Sequence, residues 1–318
     1  MSHQRFETPG RLQLRVDNRA GAVRLRAQPG TTTEVDVSVE GIEDPELIEQ
    51  VRVEHEETAA GHRVSIEVPG HMGSPVGGGL RLYGKRRVRV VVPGLSDLLP
   101  ALLGGKQVVV TVRLPESATV EVFTASGEVS ADGRFGTTTI ETSSGDINVG
   151  TVEGDLEVRT QSGQVEVSSV SGETRVATAS GDVRCGALSA NARFRTASGD
   201  VSVDASGGGL AAHTASGDVN VGQVESGCHI ETVSGDQHIS RLVAGLARLE
   251  SVSGDLTVGI APSTLVAVDA ETVSGDLASE IELGPDQPAG GDGGAPDDPR
   301  ADLRAKTVSG DLVIRRAR

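Results

Sequence analysis

A Ser-Gly-acid motif recurs along the chain. Its acids are the one regularly spaced series of side chains that could bind a ligand or take part in a reaction. The serines are 18 residues apart from Ser126 to Ser234, and the motif returns at Ser253, Ser274 and Ser309. Stacked repeats would align the acids that follow each glycine in one column. Such carboxylates can accept backbone N–H bonds or bind cations. The central members of this column are Asp182, Asp200, Asp218 and Asp236.

We favour hydrogen bonding as the role of this column, with each Asp accepting backbone N–H groups in its own turn. The alternative is a cation ladder, in which metal ions bridge successive aspartates. A calcium β-roll has a similar period, but here only one Gly precedes each acid, and the half-period turns at 206–209 and 226–228 lack acids. A Ca²⁺ cage of about six to eight oxygens is therefore not specified. The sequence predicts no metal and no cofactor beyond that alternative.

The remaining reactive side chains do not suggest catalysis. Cys185 and Cys228 fall at inward positions more than two repeats apart, which predicts buried free thiols. Because every repeat Ser has a turn to form, no Ser-His-Asp set is predicted. The histidines fall at unrelated places in the repeat, so we expect no column and no metal-ligand spacing among them: His3, His55, His62, His71, His213, His229 and His238. The sequence therefore predicts a protein that is not an enzyme.

The repeat itself predicts the fold. Apolar pairs such as Val201 and Val203 alternate with polar residues, which is the period of a strand, and a second pair follows about nine residues later. Gly in each turn supplies the positive φ of a sharp corner. Self-similarity at a fixed period is typical of stacked units. We predict an all-β, parallel β-solenoid with 18-residue coils and two short strands per coil, in which a Thr before each Ser packs inward and its hydroxyl bonds the turn.

Two regions are expected. Residues 1–120 alternate without a clean repeat and are predicted to form an irregular N-terminal β region that caps the solenoid. Residues 121–318 form the solenoid, with a flexible insertion at 284–300 that splits the last coil. Residues 94–105 are expected to be a packed lid, and the basic cluster from Arg81 to Arg89 the solvated face of a strand. Arg315, Arg316 and Arg318 are expected to shield the last open edge.

Charge and composition limit the classes of molecule that this protein is expected to bind. The formal net charge is −16, with the excess in the C-terminal part, and an acidic surface repels phosphate backbones and anionic headgroups. We expect no nucleic acid and no membrane insertion. The first residues contain no basic segment followed by an apolar run, which predicts a cytoplasmic protein. A cell-surface location is the alternative.

The recurring Thr-x-Ser-Gly-Asp-(Val/Leu)-x-Val, seen at 196–203 and 214–221, resembles the bacterial putative-adhesin family of β-strand-repeat proteins, domain of unknown function 4097. The resemblance covers about residues 120–318. Upstream, Val88 to Pro93 and Val110 to Pro115 resemble the Val-rich strand that precedes the repeats in this family. The resemblance implies a solenoid and carries no catalytic residues over to this chain.

The expected function is a non-catalytic structural or protein-interaction scaffold of the putative-adhesin type. An adhesin that binds glycans and a cation-stabilised β-roll are the alternatives. The expected partner is another protein, of unknown identity, and end-to-end self-association of the solenoid is a further expectation.

Overall fold

The computed structural model describes residues 2–19, 21–40, 51–68, 107–281 and 299–317. Every regular element in these ranges is a strand, as the all-β prediction requires. Among the residues so described, no helix has the length and apolar character needed to cross a bilayer. The predicted lid at 94–105, the basic cluster at 81–89 and most of the insertion at 284–300 lie outside the described ranges.

The strands are numbered in chain order. Seven precede the regular repeats: β1 (Ser2–Glu7), β2 (Leu12–Asn18), β3 (Val23–Gln28), β4 (Thr32–Glu40), β5 (Arg52–Thr58), β6 (Gly61–Val68) and β7 (Gln107–Pro115). The next fourteen are β8 (Thr119–Thr124), β9 (Val129–Phe135), β10 (Thr138–Glu141), β11 (Ile147–Val152), β12 (Leu156–Arg159), β13 (Val165–Val170), β14 (Thr174–Ser180), β15 (Val183–Leu188), β16 (Ala192–Ser198), β17 (Val201–Ser206), β18 (Leu210–Ser216), β19 (Val219–Val224), β20 (Cys228–Ser234) and β21 (Gln237–Leu242). The last six are β22 (Gly245–Ser253), β23 (Leu256–Ile260), β24 (Leu265–Ser274), β25 (Leu277–Ser279), β26 (Arg300–Ser309) and β27 (Leu312–Arg316).

These strands form two sheets dominated by parallel pairing. Sheet A has 14 strands in the order β1-β4-β7-β3-β9-β11-β13-β15-β17-β19-β21-β23-β27-β25, and sheet B has 13 in the order β24-β26-β22-β20-β18-β16-β14-β12-β10-β8-β2-β6-β5. Through the repeats, Val165 pairs with Val183 and Val183 with Val201. The described chain therefore has a β-solenoid-like architecture, in which successive strands from β7 onward alternate between the sheets.

Inward side chains from both sheets form one apolar core. Strand β16 shows the alternation, because Ala192 and Phe194 are buried while Arg193 and Arg195 are exposed. The predicted inward Thr is also buried, and its hydroxyl reaches the turn in some repeats: Thr160 donates to the carbonyl of Ser162 at 2.9 Å. In others the buried hydroxyl has no hydrogen-bond partner, as at Thr178, Thr196 and Thr214. The inward position of this Thr is shared by the repeats, whereas the hydrogen bond from its hydroxyl to the turn is made in only some of them.

The N-terminal strands join the same two sheets. Strand β2 pairs in parallel with β8, and β3 pairs in parallel with β9, so both sheets continue across residue 120. Antiparallel pairs close this end, where β1 lies against β4 and β5 lies against β6. The alternating charged residues of the edge strands β1 and β5 discourage the addition of further strands.

The strands at the other end do not follow chain order. Strand β26 lies between β22 and β24, and β27 lies between β23 and β25. Residues 265–279 and 300–316 each contribute a strand to both sheets, so the prediction that the insertion splits one coil is wrong. The prediction that Arg315 and Arg316 shield an open edge is also wrong. Strand β27 is internal, and Arg316 Nη1 donates to the carbonyls of Ala261 and Thr264 at 3.0 and 3.2 Å.

The corner glycines stack directly on one another. Gly199 has φ of +134°, and a Cβ placed on it would lie 2.3 Å from the carbonyl oxygen of Gly181 in the neighbouring repeat. Corner glycines from Gly127 to Gly310 meet the preceding corner at 2.1–2.3 Å in the same way. Gly is therefore required both by its conformation and by the close approach of the next corner.

We expect Gly199→Ala to lower the free energy of unfolding by about 3 kcal/mol, because the new methyl group meets both strain and backbone. Gly30→Ala is the matched control. Gly30 also has a positive φ, +150°, but its Cβ position has no atom within 4 Å. The control should lose only about 1 kcal/mol, as expected for strain alone. Chemical denaturation followed by circular dichroism compares them, and equal losses would contradict the stacking explanation.

Both cysteines are free and buried, as predicted. Burial raises the pKa of the Cys228 thiol to about 12. Burial, followed by the charge of Asp204, raises the pKa of the Cys185 thiol to about 12. The thiolate, which is the reactive form, is therefore scarce at neutral pH.

We expect neither thiol to react with a disulfide reagent in the native protein at mildly alkaline pH. Both should react promptly in denaturant, where the thiol pKa returns to its ordinary range. Absorbance of the released chromophore gives the count of reactive thiols. Rapid native labelling would contradict the burial of these side chains.

Candidate functional site

The aspartate column runs along one corner of the stack, and its carboxylates form a ladder of hydrogen bonds. The backbone N–H of Asp200 donates to Asp182 Oδ1 at 3.1 Å, and that of Asp218 donates to Asp200 Oδ1 at 2.8 Å. Asp236 continues the ladder, since its N–H donates to Asp218 Oδ1 at 2.8 Å. Each carboxylate therefore joins two repeats. The prediction that each Asp bonds within its own turn is wrong, because the next stacked corner lies closer to the carboxylate.

The same bond occurs at the half-period corner without a charge. Asn191 Oδ1 accepts the backbone N–H of Gly209 at 3.0 Å, in the geometry that Asp155 uses with the N–H of Glu173 at 2.9 Å. In the described ranges, the aspartate column brings no three metal-ligating atoms within 4.8 Å of one another. The cation ladder stays a prediction, and the hydrogen bonds give the column a role that needs no ion.

A second surface lies on the outward face of sheet B, where stacked strands align equivalent residues in rows. One row, called here the valine row, contains Val233, Val252, Val308 and Val273 on β20, β22, β26 and β24. Their exposed fractions are 53%, 49%, 44% and 71%. The registers on either side of these residues pair Thr232 with Ser251 and Ser251 with Thr307. The valines are thus neighbours on adjacent strands and form one exposed apolar stripe.

A charged row runs beside the valine row. Cross-strand pairs place His213 opposite Glu231, Glu231 opposite Glu250, and Glu250 opposite Lys306. The two rows line a shallow groove of about 590 Å³. It therefore combines an apolar side with a polar, titratable side.

Histidines and glutamates meet at the centre of this face. His213 Nδ1 lies 2.8 Å from Glu231 Oε2, and His229 Nε2 lies 2.9 Å from Glu231 Oε1. The rings of His213 and His229 meet edge to face with centroids 5.7 Å apart. Arg248 Nε donates to Glu250 Oε1 at 2.7 Å.

Comparison with known families now identifies the architecture. The Toastrack DUF4097 family model matches residues 13–239 and 210–315. The chain belongs to the Toastrack family. This confirms the resemblance seen in the repeat motif. Comparison with curated proteins gives no match.

Among solved structures, the Toastrack chain is similar to a putative cell adhesion protein from Clostridium sporogenes ATCC 15579. The two are 10% identical, the match covers 99% of this chain and 98% of the other, and the TM-score is 0.30. A score this low carries no argument about the function of the Toastrack chain.

The sequence predicts no column and no metal-ligand spacing among the histidines of this Toastrack chain, and the structure brings two pairs of them together. His213 and His229 share one site, and His55 Nε2 lies 3.1 Å from His62 Nδ1 near the N-terminal end. A usable signal was present in the sequence. His213 and His229 both occupy even-numbered places when each repeat is counted from its Ser, so they point to the same face from neighbouring strands.

Electrostatics at the cluster favour an ionised Glu231. The hydrogen bond from His213 lowers the pKa of Glu231, while burial opposes this shift. The charges of His213, His229 and Arg248 lower the pKa further. The site therefore presents a carboxylate rather than a carboxylic acid over a wide pH range.

We expect Asp200→Asn to keep the stability of the Toastrack chain within about 0.5 kcal/mol, because an amide oxygen can accept the same N–H bond and a surface change is usually small. Asp200→Ala removes the acceptor and should lose about 1 kcal/mol. Denaturant melts of both variants give the comparison. A loss for Asp200→Asn as large as that for Asp200→Ala would show that the charge itself is required, as a bridging cation demands.

Proposed function

We propose that this Toastrack chain is a non-catalytic scaffold that binds a protein partner through the valine row and the groove beside it. The observation that carries the proposal is the row itself. Single exposed apolar residues are common, but contiguous exposed apolar patches mark interaction sites. Four valines on adjacent strands form such a patch.

The row is also specific to one end of the stack. The equivalent place on β14, β16 and β18 carries Ala179, Ala197 and Ala215. The change from Ala to Val begins at β20 and continues to the edge strand β24. Since strand stability does not require an exposed apolar side chain at this place, the larger side chains support a role in contact with another molecule.

The setting of the row suits a binding surface. Parallel ladders hold β20, β22 and β26 on both sides and the edge strand β24 on one, so the surface is ordered before a partner arrives and less entropy is lost on binding. Glu250 and Lys306 on the charged row provide a polar margin beside the apolar stripe, as in protein interfaces with an apolar centre and a polar rim.

The proposal includes the finer description of the repeat. We infer that the unit is a coil of 18 residues with one strand in each sheet, because partners such as Val183 and Val201 advance along the chain by that step. The cytoplasmic location stays a prediction from the sequence, with the cell surface as its alternative.

The test uses a double variant that carries both Val252→Ser and Val308→Ser. The control is a second double variant that carries both Ala179→Ser and Ala197→Ser. The control changes the same place in the repeat outside the valine row. Immobilised wild-type chain captures a partner, which is then purified and titrated against all three proteins. We expect the valine variant to bind at least about tenfold more weakly, equivalent to 1.4 kcal/mol, and the control to bind as wild type.

A partner that binds the valine variant and wild type equally would refute the proposed surface. In a second test, sedimentation of the chain alone at several concentrations measures self-association. Concentration-dependent association that the valine variant abolishes would make the partner a second copy of this chain.

A further inference from the structure

We propose that His229, Glu231 and Glu250 form a binding site for a divalent transition-metal ion on the outward face of sheet B. One ligand atom from each residue lies within 4.8 Å of the other two. In the described part of the chain, this is the one set of three such side chains that comes this close. The site shares Glu231 and Glu250 with the groove beside the valine row, but zinc binding requires no partner and is tested separately.

The sheet places the three ligands without help from loops. Glu231 on β20 pairs directly with Glu250 on β22, and His229 lies two residues before Glu231 on the same face. Strands β20 and β22 are internal to sheet B, with β18 and β26 on either side. The ligand backbones are therefore fixed, and only side-chain rotation is needed to close around an ion.

Charge at the site favours a cation. Neighbouring strands lie about 4.8 Å apart, and two carboxylates at that distance repel by roughly 1 kcal/mol even in water. Arg248 offsets part of this repulsion, but its Nε and Nη2 both donate to Glu250 Oε1. Oε2 of Glu250 is left available as a ligand, and a divalent ion would neutralise both carboxylates.

His229 provides the nitrogen ligand. Its Nε2 is buried and has no hydrogen-bond partner, although Glu231 Oε1 lies only 2.9 Å away. The two atoms lie close together but are not aligned for a hydrogen bond. A buried polar atom with no partner is costly. A metal ion held by His229 Nε2 and Glu231 Oε1 would satisfy both atoms.

The ligand set selects the class of metal. Imidazole nitrogen favours Zn²⁺ and similar transition metals, whereas Ca²⁺ takes about six to eight oxygens. One imidazole and two carboxylates match the nitrogen and oxygen ligands that Zn²⁺ accepts. The side chains of His229, Glu231 and Glu250 are 39%, 43% and 38% exposed, so an ion can reach them from solvent.

His213 acts as a positioning residue. It lies on β18 and contacts Glu231 Oε2 at 2.8 Å, which leaves Oε1 turned toward His229. Hydrogen bonds to ligating carboxylates orient them, and loss of such a partner typically weakens metal binding by about 10-fold or more. His213 should therefore affect zinc affinity without contacting the ion.

The experiment is calorimetric titration of Zn²⁺ into the metal-stripped full chain. We expect one tight site per chain, abolished in His229→Gln and Glu231→Gln, and weakened about 10-fold in His213→Gln. Ca²⁺ should give no comparable heat. Circular dichroism of the variants checks the fold, which should be unchanged because all three side chains are partly exposed.

Two control variants test the location. His238→Gln removes a histidine from the opposite sheet, and His55→Gln breaks the His55–His62 pair near the N-terminal end. Both should retain the tight site. Absence of tight zinc binding by the wild-type chain would overturn the proposal. So would a site that survives His229→Gln and Glu231→Gln but is lost in His55→Gln.

Discussion

The close stacking of backbone at the glycine corners is the constraint on which the rest of the molecule depends. A Cβ placed on a stacked corner glycine would lie only 2.1–2.3 Å from the carbonyl oxygen of the neighbouring corner. Any larger residue would push the repeats apart and weaken the ladders of both sheets. The corners therefore hold neighbouring repeats in one register, and the aspartate ladder reinforces that register by bonding across the same gap.

Because the register is fixed, the residue type at each outward place of the repeat determines the chemistry of one row on the surface. Residues at the same place in successive repeats become neighbours on adjacent strands, so one substitution repeated along the chain produces a row. Valine in place of alanine produces the apolar row, and acidic residues two places before the valines produce the pair Glu231 and Glu250. The core and the corners can remain constant while the outward places change, which separates stability from surface chemistry.

Most of the architecture could be predicted because it follows from local periodicity. Alternation located strands such as β17, the Ser-Gly step located the corners, and the inward cysteines were placed correctly. The order of the last strands could not be predicted. The repeat motif at Thr307 could pair equally well with the motif at Ser251 or with the motif at Thr272, and spacing along the chain does not choose between them. The His-Glu cluster does not show as a column of one residue type, because it joins His213 to Glu231 directly opposite and to His229 two residues earlier on β20. The aspartate bonds were assigned to the wrong turn because spacing along the chain does not show which N–H lies nearest in space.

The inserted position of β26 and β27 has a consequence for biogenesis. A solenoid that stacks in chain order can add each repeat as it leaves the ribosome. Here residues 300–316 occupy the slot between two repeats that precede them in the chain and are synthesised earlier. The repeat at 265–279 cannot pair with its native neighbours, β26 and β27, until residues 300–316 have been synthesised. Strands β26 and β27 therefore complete this end of the stack, and the repeats there assemble out of chain order.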